Sequence, residues 1–301
     1  MNQANPRLNS ATAGFSLSAS TFAFVGVSLI VSLIFWLSGM QEESDAYKYI
    51  SYLASPIAIA SGCLITLTVR KQNLADVAPL NCHWKYYIIA LLMVFGLLFC
   101  VSEINTVTLE FLKLLGYTPR AESSYIPSLG GGRIIPALLV IAVLPAIFEE
   151  LLFRGVILQN ARSSMGDISA IFIVGFSFAL FHGSAEQTVY QFICGCAFAL
   201  IAVCSGSVLP GVMMHFINNA LLILMYAYVP MDAEGNMFSP AVRITLIVIG
   251  AIAFISSIVW LLLDRKPFIK GEKGGVVAFF KYAWAGIMVL GIIWILSWVV
   301  V

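Results

Sequence analysis

Phe148-Glu149-Glu150-Leu151-Leu152-Phe153-Arg154 sets three ionisable side chains inside a run, Ile134–Leu158, that is otherwise apolar enough to cross a bilayer. A carboxylate or guanidinium in hydrocarbon costs roughly 2.5–3.5 kcal/mol on insertion scales, so such groups face a bundle interior, pair with one another and serve a function. Read as helix, the stretch puts Glu150 and Arg154 on one face, where they can neutralise each other. Glu149 is then the less compensated carboxylate and the first candidate for chemistry.

The rest of the chain supports a membrane setting for that run. Of 301 residues, 60% are apolar and 10% charged, and the mean hydropathy is +0.96, whereas soluble domains carry about 25% charged residues. A net charge of +1 and the lack of a basic stripe with interleaved aromatics exclude nucleic acid as an expected partner. The fold class expected is all-α, a polytopic transmembrane helical bundle of about 8–9 spans, each needing roughly 20 apolar residues. Nine segments qualify or nearly do: Ser20–Ser38, Tyr52–Val69, Tyr86–Thr108, Ile134–Leu158, Ile168–His182, Val189–Ser205, Val208–Tyr228, Ile244–Leu263 and Tyr282–Val300. The fifth and sixth are the short ones. Residues 1–17 lack the charged n-region and h-region of a cleaved signal peptide, so the first span is expected to be retained.

Charge orients the bundle. Lys and Arg collect in the Arg70–Lys85 connection and again at Arg265, Lys266, Lys270, Lys273 and Lys281, while Gly39–Ile50 carries Glu42, Glu43 and Asp45, and Val229–Pro240 carries Asp232 and Glu234. Nine spans and a cytoplasmic N-terminus put both basic connections inside and both base-poor ones outside; a cell (plasma) membrane protein is expected. The Leu109–Arg133 connection, with Lys113, Arg120, Arg133 and Gly130-Gly131-Gly132, falls outside and reads as a re-entrant or surface segment. Intramembrane polar residues gather between about Arg133 and Tyr228. The expected organisation is therefore scaffold helices over 1–132, a catalytic core over 133–228 and C-terminal helices over 229–301.

Six cysteines form no CxxC pair and read as small core residues. Serines and glycines such as Ser55, Ser61, Gly62 and Gly96 read as packing residues at helix crossings. Of the three histidines, His83 beside Trp84 and Lys85 reads as an interfacial residue. His182 and His215 fall within spans. Helical spacing puts His215 and Asn219 on one face, and Phe178 and His182 on another. At 1.5 Å per residue from the basic end, Glu149 lies about 16 Å deep, His182 about 21 Å, His215 about 12 Å and Asn219 about 18 Å. One layer can hold all four.

Two arrangements of these side chains make chemical sense. Glu149 and His182 can activate a water while His215 and Asn219 donate to the oxyanion of an attacked carbonyl. Alternatively, Glu149, His182 and His215 form a His₂Glu set for Zn²⁺ or another divalent metal, with a position open for water. No organic cofactor is called for. A transporter or proton-coupled carrier would use the same residues as a relay, but the chain shows no internal repeat and no paired interrupted helices. A catalytically silent immunity or scaffold protein is the third class.

Glu149-Glu150-x-x-x-Arg154, Phe178-x-x-x-His182 and His215-x-x-x-Asn219, in this order on successive helices, resemble the three motifs of the CPBP family of intramembrane proteases. This is the CAAX-protease or Abi family, which includes the eukaryotic type II CAAX prenyl endopeptidase. The likeness covers about Ile134–Tyr228. It implies an all-helical membrane peptidase acting on a membrane-associated or lipidated peptide or protein. Glu149 would activate water with His182 assisting; His215 and Asn219 would stabilise the oxyanion, or His215 would hold metal. Glu150, Arg154 and Phe178 would support the site. Prenylated substrates belong to eukaryotic members, and nothing in this chain specifies one or fixes an oligomeric state.

Overall fold

Backbone in hydrocarbon has no water to serve its N–H and C=O groups, so the apolar segments close into helices. The computed structural model describes residues 8–118, 126–130, 132–232 and 237–299. Among them run α1 (Ser10–Ser38), α2 (Asp45–Val69), α3 (Lys85–Leu114), α4 (Ile134–Met165), α5 (Asp167–His182), α6 (Thr188–Ser205), α7 (Leu209–Tyr228), α8 (Pro240–Asp264) and α9 (Gly275–Val299). Eight of these are long and apolar enough to cross a membrane. The ninth, α5, has 16 residues; it rises about 24 Å, short of a hydrocarbon core of roughly 30 Å. The protein is an all-α integral membrane protein.

Several helix boundaries lie outside the apolar windows. Helix α1 begins at Ser10, ten residues before the expected span, because its Ser/Thr/Gly-rich start is a packing surface: Ser10, Thr12, Ser16, Ser18 and Ser20 are buried. Ser18 Oγ donates to the Tyr282 carbonyl at 2.8 Å and accepts from Gly286 N at 3.2 Å, fastening α1 to α9. Helix α2 begins at Asp45, where Ser44 caps it by accepting from Tyr47 N, so the acidic connection shrinks to Gly39–Ser44. Helix α3 runs on to Leu114, several residues into the expected connection. Arg120, Gly131, Glu234 and Val300, used in the sequence reading, lie outside the described residues.

Helix α4 occupies the centre, packed against α1, α2, α5, α6, α7 and α9, while α3 pairs with α8. The glycines expected at crossings sit there: Gly62 of α2 against Ser20 of α1, and Gly96 of α3 against Phe254 of α8. All six cysteines are free. At one end of the bundle the start of α1, the Arg70–Lys85 connection and the Arg265–Lys273 connection meet. Asn9 N donates to Asn160 Oδ1, Gln72 bonds the same amide, and Asp167 Oδ2 accepts from Ile269 N at 2.8 Å. Both basic connections therefore share an end with the beginning of α1. At the other end Asp45 holds Arg133 at 3.0 Å and also bonds Ser128, pinning the segment before α4 to the start of α2.

Candidate active site

Helix α4 departs from regular α geometry on both sides of its acidic pair. π-helical turns at Leu138–Val143 and Leu151–Ile157 flank the α-helical segment Leu144–Glu150; such widened turns recur at functional sites. Their backbone groups draw on side chains. Gln159 Nε2 donates to the Arg154 carbonyl at 3.1 Å. Pro145 has no N–H to give the Ile141 carbonyl in α register, and Asn219 Nδ2 of α7 donates to that carbonyl at 3.0 Å.

Glu150 and Arg154 are fully buried and joined at 2.8 Å, Arg154 Nη1 to Glu150 Oε1. The guanidinium is enclosed by rings, 4.5 Å from the centre of Phe178 and 4.8 Å from that of Phe198, and Nη2 donates to the Gly195 carbonyl at 3.4 Å. Glu150 Oε1 also meets His215 Nδ1 at 3.1 Å. One carboxylate thus binds an arginine on its own helix and a histidine on the helix opposite. The space for it comes from Gly211, one turn before His215, where a Cβ would stand 2.5 Å from Glu150 Oε2.

Glu149 is differently placed. Its Oε2 is buried without a hydrogen-bond partner and lies 3.9 Å from His215 Nε2, too far for a direct bond and a separation that one water can bridge. Its side chain keeps 13% of its exposure, against 0% for Glu150. Of the two acids, Glu149 is the less enclosed.

His182 ends α5, followed by Gly183 in the left-handed region. Its Nδ1 is 2.8 Å from the Phe178 carbonyl one turn back. A carbonyl only accepts, so Nδ1 carries the proton and Nε2 holds the lone pair of the neutral ring. The ring rests on Phe178 with centroids 4.5 Å apart and lies within coulombic reach of Glu149 and His215. Phe178 is the packing residue expected, touching His182, His215 and Arg154 at once. Asn219 accepts from Asn218 Nδ2 at 3.1 Å and ties α7 to α4; the second hydrogen of its amide is what it has left to offer. His83 accepts from Lys85 N in the loop before α3 and stands apart from the site.

Of the residues singled out in the sequence, contacts link Glu149, Glu150, Arg154, Phe178, His182 and His215, while Asn219 meets the Ile141 carbonyl, about two turns before Glu149 on α4. Sequence reading passed over Gly211, whose spacing of four from His215 was the available signal, and Phe198, which had none beyond its apolarity. Asn218 links Tyr190 to Asn219.

Glu149, His182 and His215 have the donor types of a divalent-metal site. Among the described residues no three His, Cys, Asp or Glu side chains stand together closely enough to hold a metal ion. The Nδ1 atoms of His215 and His182 are bonded to Glu150 and to a carbonyl, the usual outer bonds of metal-ligating histidines, which leaves each Nε2 as the donor.

Fold and site define a class: a polytopic membrane protein whose central helices bury an acid–histidine cluster. The family model described as Rce1-like, type II CAAX prenyl endopeptidase Rce1-like, matches residues 131–221, a span holding all seven motif residues. Residues 131–221 are thereby similar to Rce1-like proteins, consistent with the CPBP or CAAX-protease family and, at family level, with intramembrane CAAX-type endopeptidases. No curated protein and no solved structure matches the chain.

Proposed function

We propose that the protein is an intramembrane endopeptidase that hydrolyses a peptide bond of a membrane-associated or lipidated peptide. The observation that carries this is the unpartnered, buried Glu149 Oε2 facing His215 Nε2, beside a second acid already neutralised by Arg154. A water held at Glu149 gives its proton to the carboxylate as its oxygen attacks the scissile carbonyl carbon, and His182 Nε2 accepts the water's second hydrogen bond. The carbonyl oxygen takes up the negative charge, which His215 Nε2–H and the remaining Asn219 N–H stabilise. To donate there His215 carries protons on both nitrogens during turnover, with the carboxylates of Glu150 and Glu149 facing them. Collapse of the tetrahedral species breaks the C–N bond, and Glu149 returns its proton to the leaving nitrogen. Glu150 and Arg154 hold His215 and the helix in place.

The basic end of the bundle faces the cytoplasm of a plasma membrane under the same reading, since Lys and Arg are retained on that side. The family match and the motif geometry both support the assignment. The test combines substrate trapping with chelation. Membranes carrying Glu149→Ala accumulate, uncut and bound, a peptide that wild type cleaves, and His182→Ala behaves alike. Cleavage by wild type persists after exhaustive chelation. Substrate turnover by the Glu149 variant removes the proposal; loss of activity on chelation with recovery on added Zn²⁺ moves the water from the carboxylate to a metal.

A further inference from the structure

Helices α5, α6 and α8 enclose an apolar cavity of about 290 Å³, lined by Ile168, Phe172, Ala197, Phe254, Ile258 and Phe268 among others. Ile168 and Phe172 are exposed on its flank, so the cavity is a groove open towards lipid. Its α8 wall runs from Phe254 to Leu262, about 12 Å at 1.5 Å per residue and close to half of a hydrocarbon core of roughly 30 Å. The groove therefore has the depth of one leaflet.

Its mouth lies at the basic end. Phe268, part of the lining, carries the Arg265 guanidinium on its face at 3.9 Å. Arg265 Nη1 donates to the Lys266 carbonyl at 3.3 Å, and its Nε is buried with no hydrogen-bond partner. The acids around the mouth are engaged elsewhere. Asp264 holds Lys85 at 2.7 Å and accepts from Tyr86 Oη, and Asp167 accepts from Arg162 Nε and Ile269 N. Lys266 and Lys270, next to Arg265 and Phe268 in the same connection, are exposed. The result is an apolar slot one leaflet deep with uncompensated cations at its rim.

We propose that this groove binds one acyl chain of an anionic phospholipid, with the phosphate seated on Arg265 and Lys266. The charge selects the occupant: a neutral lipid or an apolar transmembrane segment would fill the slot without using the cations, whereas basic pockets between helices at a membrane face bind anionic headgroups. The proposal is independent of the proteolytic reading, since its residues lie outside the motif cluster.

Native mass spectrometry of the full chain in mixed micelles tests it, with phosphatidylglycerol and phosphatidylcholine of identical chains as probes. Wild type is expected to retain phosphatidylglycerol on the order of tenfold more tightly, from two cations at the surface. Arg265→Gln with Lys266→Gln is expected to erase that preference. Ile258→Trp, which fills the slot, is expected to lower retention of the anionic lipid, while Ile252→Trp on the exposed flank of the same helix leaves it unchanged. A thermal midpoint for each variant confirms folding, and Lys266→Gln alone serves if the double variant does not fold. Equal retention of the two lipids by wild type overturns the proposal. So does a preference that survives both the charge and the filling substitutions, or one abolished by inorganic phosphate alone, which would mark a free-anion site.

Discussion

Helix α4 carries two buried polar clusters eleven residues apart, about 16 Å along its axis, and they are built on opposite terms. Around Asn160 every polar atom has a partner: Oδ1 accepts from Gln72 Nε2 at 2.8 Å and from Asn9 N at 3.2 Å, while Nδ2 donates to Gln72 Oε1 at 3.0 Å and to the Val156 carbonyl at 2.9 Å. Around Glu149, Glu150 Oε2, Arg154 Nε and Glu149 Oε2 are all buried and unpartnered. A saturated amide knot joins α1, the Arg70–Lys85 connection and α4, and has nothing left to offer a ligand. The acid cluster bears an unmet demand, the condition of a site that waits for a reactant.

That contrast can be broken by substitution. Glu149→Gln has the largest expected effect, a loss of 10²- to 10⁴-fold in the rate constant for cleavage, the usual share of a general base; a thermal midpoint at or above wild type is expected with it, because the replaced oxygen had no partner. Arg154→Met leaves Glu150 buried without its cation and is expected to destabilise the fold by about 3–5 kcal/mol, read by denaturant unfolding in detergent. Asn160→Ala unties the knot at an expected cost of about 1–3 kcal/mol, with cleavage per folded molecule unchanged; a comparable fall in rate and stability would erase the distinction between the clusters. Arg133→Gln removes a partner of Asp45 in an ion pair whose arginine is 57% exposed, and less than about 1 kcal/mol is expected.

Legibility followed the same division. The acid cluster stood out in sequence because charges in hydrocarbon are costly, and spacing alone paired Glu150 with Arg154 and put His215 level with Glu149. The approach of Glu150 to His215 was not visible, since it depends on Gly211 and on how α7 crosses α4. The knot was passed over because Asn160 and Gln72 sit at helix ends, where amides are commonplace. Hydropathy placed the spans but misplaced the start of α1: hydroxyls such as Ser18 count against a span, yet here they satisfy backbone groups of α9. The π turns of α4 had one local sign, Pro145, whose missing N–H frees the carbonyl that Asn219 takes.

Helix α5 ends at His182 about 6 Å before a full crossing would. A bilayer meeting so short a wall thins or dimples beside it rather than leave the Gly183–Gln187 turn in oil. The aqueous boundary is thereby drawn down towards the imidazole from the end opposite the basic connections, on the flank of the helix that carries the buried acid pair.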